Sequence, residues 1–409
     1  MIAGVCLLYI SMIGPSPILS FVGSEYDLFD NNAALVLTVS IIYPVSAVAS
    51  LVGGLLQERL GLIRMYRIFM AIYVLSGVVL LVCNNYFGLM TCRVLYAVAY
   101  GLSVPFIGAA IMDWYPPKQR EIMSTLNGLF PWIGALACFL LASPLMELFA
   151  SWQWSLVIWS VAAIPLLLLC FFVPKNEGVV VPAEHKGNSI GLYTSLLKRK
   201  EIVACVLMYV FDLGFYAYFS AVYPLFLSEG AGLSEQTANM LASLSFPLVG
   251  VVFAVFGGTL ASRLGRRKPI LLWGQMLKFA GIILAMVTIR VSLPLCLLGV
   301  GIFTVGNSMY LPAMYMVPMD LPKMDSVQVG ASFSLTIAAG NLLGGTFMPV
   351  IGGKLTDFFV ARSAMADAVQ AHFFGLSRSI LIVNVANLVC FLVVLFLMGE
   401  TGPKGRKNA

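Results

Sequence analysis

Charge is what this chain has least of. Only 10% of its 409 residues are Asp, Glu, Lys or Arg, and it has two histidines. A soluble domain carries roughly a quarter charged residues and about half apolar ones; here the apolar share is 60%. Charge this sparse excludes a disordered chain, which would need low hydrophobicity, and argues against a soluble enzyme. None of the eight cysteines shows the paired spacing of a metal knuckle or a disulfide framework, so they read as small buried hydrophobes. No Asn-x-Ser/Thr acceptor occurs, in keeping with a bacterial source. No basic segment precedes the first apolar run, 2–22, so it reads as a membrane span and not as a cleaved signal peptide.

What the chain does have is apolar length. At ~20 residues per span, it holds about twelve, at 2–22, 33–56, 66–83, 87–113, 121–147, 153–173, 201–228, 235–261, 269–289, 293–317, 327–356 and 377–398. These are expected as helices, because backbone groups in lipid must be satisfied within their own segment. The fold class is therefore an all-α polytopic membrane protein. The one long connection, 174–200, separates an N-terminal six-helix bundle, 1–173, from a C-terminal one, 201–409, that ends in a short tail.

The basic residues set the orientation. With the N-terminus cytoplasmic, 18 of 24 Lys and Arg fall on the cytoplasmic side, among them Arg59, Lys118, Lys198, Arg263 and Lys404. This is the positive-inside bias. The net charge of +6 is then topogenic and calls for no nucleic-acid partner.

The two halves echo each other. Gly53-Gly54-Leu55-Leu56-Gln57-Glu58-Arg59-Leu60-Gly61 follows span two, and Gly257-Gly258-Thr259-Leu260-Ala261-Ser262-Arg263-Leu264-Gly265-Arg266-Arg267-Lys268 follows span eight. A second echo pairs Gly101, Asp113, Pro117 and Lys118 with Gly306, Asp320, Pro322 and Lys323. Glycines let helix ends approach closely and turn. The residues expected to form a cytoplasmic gate are Gly54, Glu58, Arg59, Gly61, Gly258, Arg263, Gly265, Arg266 and Arg267. A tight turn carrying topogenic charges is the plainer reading of the same motif.

On these motifs and the twelve spans the chain resembles the major facilitator superfamily, whose Gly-Gly-x-Leu-x-Asp-Arg-x-Gly-Arg-Arg loop matches 257–268 well and 53–64 in part. Ser262 departs from the acidic position, and Leu62-Ile63 replaces the first basic pair. The resemblance implies two pseudo-symmetric six-helix halves and alternating access to a site between them. Asp113-Trp114-Tyr115-Pro116-Pro117-Lys118-Gln119-Arg120 and the ending Glu400-Thr401-Gly402-Pro403-Lys404 are similar to cyanate- and nitrate-permease-like bacterial members. Phe130-Pro131-Trp132-Ile133-Gly134-Ala135 partly matches the span-five signature of drug/proton antiporters, so the direction of transport stays open.

Ionisable residues inside spans mark function by default. Asp212 lies ~16 Å into span seven, on one face with Tyr209, Tyr216, Ser220 and Tyr223, and reads as a proton acceptor or a solute contact. Arg93 on span four, with Tyr96 and Tyr100, reads as a clamp for a carboxylate or oxyanion, or as a permanent structural pair. Lys278 sits mid-span nine, a helix that is peripheral in the superfamily, which favours a structural partner. Asn307 and Tyr310 share a face of span ten, and Asn127 and Asn341 lie on spans five and eleven. Two intramembrane cations against one anion tilt the expected solute towards an organic or inorganic anion.

The expectation is a secondary transporter of a small solute, with the bilayer around it and the proton as a coupling ion. The sequence has no phosphate loop, its two histidines fall in expected loops on opposite sides, and no histidine–carboxylate cluster lies within a span, so neither an enzyme nor a cofactor is expected. A drug/proton antiporter and a non-transporting sensor or scaffold of the same fold are the alternatives. The expected setting is a bacterial inner membrane with both termini cytoplasmic. A fluorescent protein fused after Ala409 should fluoresce in cells, and alkaline phosphatase fused there should be inactive; the reverse pattern would overturn this orientation.

Overall fold

The computed structural model describes residues 2–12, 14–15, 18, 22, 25–26, 38, 41–172, 189–245, 247–363, 365 and 367–402. These residues form helices: α1 Ile2–Met12, α2 Ile42–Leu60, α3 Leu62–Val82, α4 Tyr86–Trp114, α5 Pro117–Phe149, α6 Gln153–Phe172, α7 Ser189–Leu197 and α8 Lys200–Ala231. They continue with α9 Glu235–Ser245, α10 Pro247–Leu264, α11 Lys268–Thr288, α12 Leu293–Asp320, α13 Ser326–Ala339, α14 Thr346–Ala361 and α15 Ala368–Leu397. Gly340–Gly345 joins α13 to α14 as a π-helical segment, so that Ser326–Ala361 runs as one span. Among the described residues, nine helices are long and apolar enough to cross a membrane, and shorter apolar helices at Ala3–Met12, Ile42–Gln57 and Met240–Ala254 stand where spans one, two and eight were expected. Large apolar side chains face outward, including Phe172 at 84% exposure and Phe87 at 77%, as a lipid-facing surface requires.

Helix boundaries follow local chemistry. The Asn85 side chain accepts from the Gly88 amide at 2.7 Å and caps α4, and Asp367 caps α15 through the amides of Val369 and Gln370. Pro117 opens α5, where a missing amide hydrogen is harmless. Between α2 and α3 the chain turns on a single residue, Gly61, at φ +74°, a conformation that a side chain disfavours.

The chain divides into two compact units. One comprises Met1–Arg120, Ile133–Lys198 and Lys323–Ala338; the other comprises Glu121–Trp132, Arg199–Pro322 and Ala339–Ala409. In the first, the α3–α4 layer buries Tyr66, Phe69, Tyr73, Tyr96 and Phe106. Tyr66, Phe69 and Phe106 meet ring to ring at 5.2–5.5 Å. In the second, Phe215, Phe219 and Phe303 form the corresponding aromatic centre.

The second unit is built on one close contact. A Cβ on Gly274, Gly281, Gly299 or Gly306 would collide with the backbone of the facing helix, so α11 and α12 lie against each other without intervening side chains. In a bilayer such backbone approach provides packing that the hydrophobic effect cannot. Gly281→Ala should therefore lower stability by about 1–3 kcal/mol through overpacking. Gly301→Ala, with nothing within 4 Å of the added carbon, should be neutral or slightly stabilising. Thermal melting of the two purified variants checks the contrast, and equal melting of both would contradict it.

Candidate functional site

The α11–α12 approach brings Lys278 against Asn307. The Lys278 ammonium donates to Asn307 Oδ1 at 2.9 Å and forms an ion pair with Asp212 Oδ1 from α8. Lys278 is 1% exposed and Asp212 3%. The rings of Phe303 and Tyr310 stand 5.5 and 5.2 Å from the same nitrogen, where their negative faces add to its stabilisation. Asp212, Lys278, Asn307 and Tyr310, read separately in the sequence, thus form one cluster. A depth count was the signal that could have joined them. Asp212 and Lys278 lie ~18 and ~15 Å from the starts of their helices, and Asn307 lies ~20 Å from the end of its own, at 1.5 Å per residue. Opposite charges at one depth in lipid pair with each other.

One turn along α8 from Asp212, Tyr216 meets Trp132 edge to face at 6.3 Å. Trp132 also packs where Gly250 leaves room for its ring. Its Nε1 and the Oδ1 of Asn127, both buried, have no hydrogen-bond partner among the described residues. Asn341 is buried within the π segment, whose Gly340 and Gly344 admit Tyr209 and the backbone of α8. The sequence names Trp132 only as part of a span-five motif and does not single out Phe303, because an aromatic residue in an apolar span carries no mark of its neighbours.

Arg93 belongs to the other unit and does not join this cluster. Its Nε donates to the Thr38 carbonyl, its Nη1 to Ser11 and its Nη2 to Met12, each at 2.9 Å. Ser11 and Met12 are the last residues of α1, whose terminal carbonyls lack helical partners and carry the negative end of the dipole. Arg93 therefore closes a helix end, with its guanidinium 5.1 Å from the Tyr96 ring.

The two copies of the gate motif are held differently. In the second, Arg267 is buried and its Nε meets Asp320 Oδ2 at 2.7 Å. Glu400 Oε1 accepts from the amides of Arg267, at 2.7 Å, and of Lys268, Thr401 and Gly402, capping the start of α11. Gly265 turns at φ +62°, while Arg263 and Arg266 are exposed. In the first copy, the Tyr193 hydroxyl on α7 donates to the Leu51 carbonyl at 2.8 Å, and its ring end fills the space beside Gly54. Burial pushes that hydroxyl up to about 12, so it stays a donor at physiological pH. Arg59 is exposed. The side chain of Glu58 and the surroundings of Gly258 lie outside the described residues.

The central pair predicts an asymmetry. Lys278→Ala leaves a buried carboxylate alone and should cost about 3–5 kcal/mol, whereas the double variant Asp212→Asn with Lys278→Met removes both charges and should recover most of it. Melting of the single and double variants in detergent decides this, and a double variant no better than the single one would contradict it.

Comparison with known proteins gives the wider setting. The family model described as Major Facilitator Superfamily matches residues 1–336 and again 205–409. The probable metabolite transport protein CsbC of Bacillus subtilis (strain 168) is 21% identical over 291 residues, 63% of this chain and 62% of that protein. The hexuronate transporter of the same organism is 22% identical over 224 residues, 52% of this chain and 51% of that protein. The matched stretch is under two thirds of either relative's own length. The solved structure of the proton:xylose symporter XylE bound to 6-bromo-6-deoxy-D-glucose shares the fold, with a TM-score of 0.73 at 15% identity over 98% of this chain and 94% of that one.

Proposed function

This chain belongs to the Major Facilitator Superfamily, and on that premise we propose that it is a secondary transporter that carries a small hydroxylated organic anion, of the sugar-acid kind, together with a proton. The observation that carries this reading is the Asp212–Lys278–Asn307 cluster, an electroneutral pair buried among membrane-spanning helices. An ammonium held this way can change partners. When a solute carboxylate takes Lys278, Asp212 is left as an isolated carboxylate in a medium of low dielectric, where a lone charge is very costly. It relieves that cost by taking up a proton. Solute and proton then enter the cluster together, and neither binds well alone.

The hydroxylated part of the solute is read from neighbouring chemistry. The unpartnered Asn127 Oδ1 and Trp132 Nε1 offer one acceptor and one donor, and the Trp132 and Tyr216 rings offer apolar faces for a sugar ring. The hexuronate transporter and the proton:xylose symporter among its similar proteins point to the same class. Arg93, engaged by three carbonyls, is assigned to holding α1 and not to the solute. No covalent chemistry is assigned to the chain. Its setting is a bacterial inner membrane with both termini in the cytoplasm.

The test is uptake by proteoliposomes whose lumen is more alkaline than the bath. Labelled glucuronate or galacturonate should accumulate. The Asp212→Asn variant should lose pH-driven accumulation by at least tenfold while keeping solute exchange. Full pH-driven accumulation by that variant would remove Asp212 from coupling. Failure of sugar acids to enter, with neutral sugars or lipophilic cations transported instead, would overturn the solute class.

A further inference from the structure

We propose that Asp212, Asn307 and the faces of Phe303 and Tyr310 form a binding pocket for a small monovalent cation, and that the Lys278 ammonium is its built-in occupant. Two oxygens converge on the ammonium, one anionic and one an amide carbonyl. Two aromatic rings stand at cation–π distance from the same nitrogen. This is the donor set that a primary ammonium or an alkali ion takes: hard oxygen ligands, one negative charge and negative ring faces. A second observation points the same way. Gln275 lies one turn before Lys278 on the same face of α11 and is 1% exposed. Neither of its amide atoms has a hydrogen-bond partner among the described residues. A buried amide without a partner costs free energy, so a further uncommitted oxygen stands within one helical turn of the pocket.

The consequence concerns what the transporter needs from its surroundings. A pocket of this kind, when vacant, recruits an ion from solution and depends on that ion's concentration. Lys278 fills it from within the chain, at an effective concentration that no bath can match. While Lys278 is in place, the solute-free protein is thereby made indifferent to sodium or ammonium outside. The pocket becomes available only when Lys278 leaves it. The inference builds on the reading of Asp212 as the working carboxylate, but its test needs no solute and no flux. A negative result here leaves the transport experiment standing, and the reverse also holds.

The experiment is thermal melting of the purified Lys278→Ala variant in chloride salts at equal ionic strength. Methylammonium, n-propylammonium, sodium and choline are the probes, and choline is too large to enter. A ligand that binds only the folded state raises the melting temperature saturably. Methylammonium, n-propylammonium or sodium should raise that of Lys278→Ala towards wild type, with choline inert. The wild-type protein should respond equally to all four salts. The double variant Asp212→Asn with Lys278→Ala should lose the response. Identical melting of Lys278→Ala in all four salts would overturn the proposal, as would an undiminished response in the double variant. Should Lys278→Ala resist purification, its abundance in membranes of cells grown with methylammonium is compared with that of cells grown with choline. A rise of at least twofold is expected, and no difference would overturn the proposal.

Discussion

A charge within a bilayer must find its partner inside the protein, and much of this structure follows from that constraint. Lys278 and Asp212 are almost wholly buried, so each supplies the other's counter-charge. The pair and its Asn307 acceptor cannot come together unless α8, α11 and α12 converge at one depth. That convergence depends in turn on glycines at positions 274, 281, 299 and 306, where any Cβ would push α11 and α12 apart. The packing and the electrostatics are therefore one design. A larger residue in the glycine seam would act on the ion pair without touching it, and loss of the pair would remove the reason for three polar groups to be buried together.

The same constraint is met differently in the other unit. Among the described residues Arg93 has no carboxylate partner, and its charge is met by three main-chain carbonyls, two of them at the end of α1. A helix terminus is a partial negative charge that a planar guanidinium can share among several acceptors. One buried cation is thus tied to a titratable group and can exchange partners, whereas the other is tied to backbone that cannot ionise. The duplicated gate motif shows a comparable divergence. Its second copy is fastened by the carboxylates of Asp320 and Glu400, and its first by a neutral Tyr193 hydroxyl beside Gly54.

Much of the fold was legible in the sequence, because a bilayer punishes polar backbone and charge so strongly that apolar run length alone marks the spans. The buried charges were legible for the same reason: Asp212, Lys278 and Arg93 stand out against apolar neighbours. Their partners were much less so. Whether Lys278 meets Asp212 depends on helix rotation and interhelical distance, which no periodicity records. The role of Arg93 depends on carbonyl groups that every residue possesses. Glu400 lies beyond the last span and its cap of α11 joins positions 133 residues apart, a long-range contact with no local signature. Trp132 and Phe303 were hidden by the opposite problem, since apolar residues in an apolar chain carry no contrast.

The π-helical stretch at Gly340–Gly345 has a geometric consequence. Wide winding spreads the hydrogen-bond ladder over an extra residue per turn, and Gly340 and Gly344 seat that wide turn against Tyr209 and the backbone of α8. The inserted residue rotates the side-chain register of Thr346–Ala361 away from the one that Ser326–Ala339 would have continued. One uninterrupted span thus carries two differently phased sets of side chains.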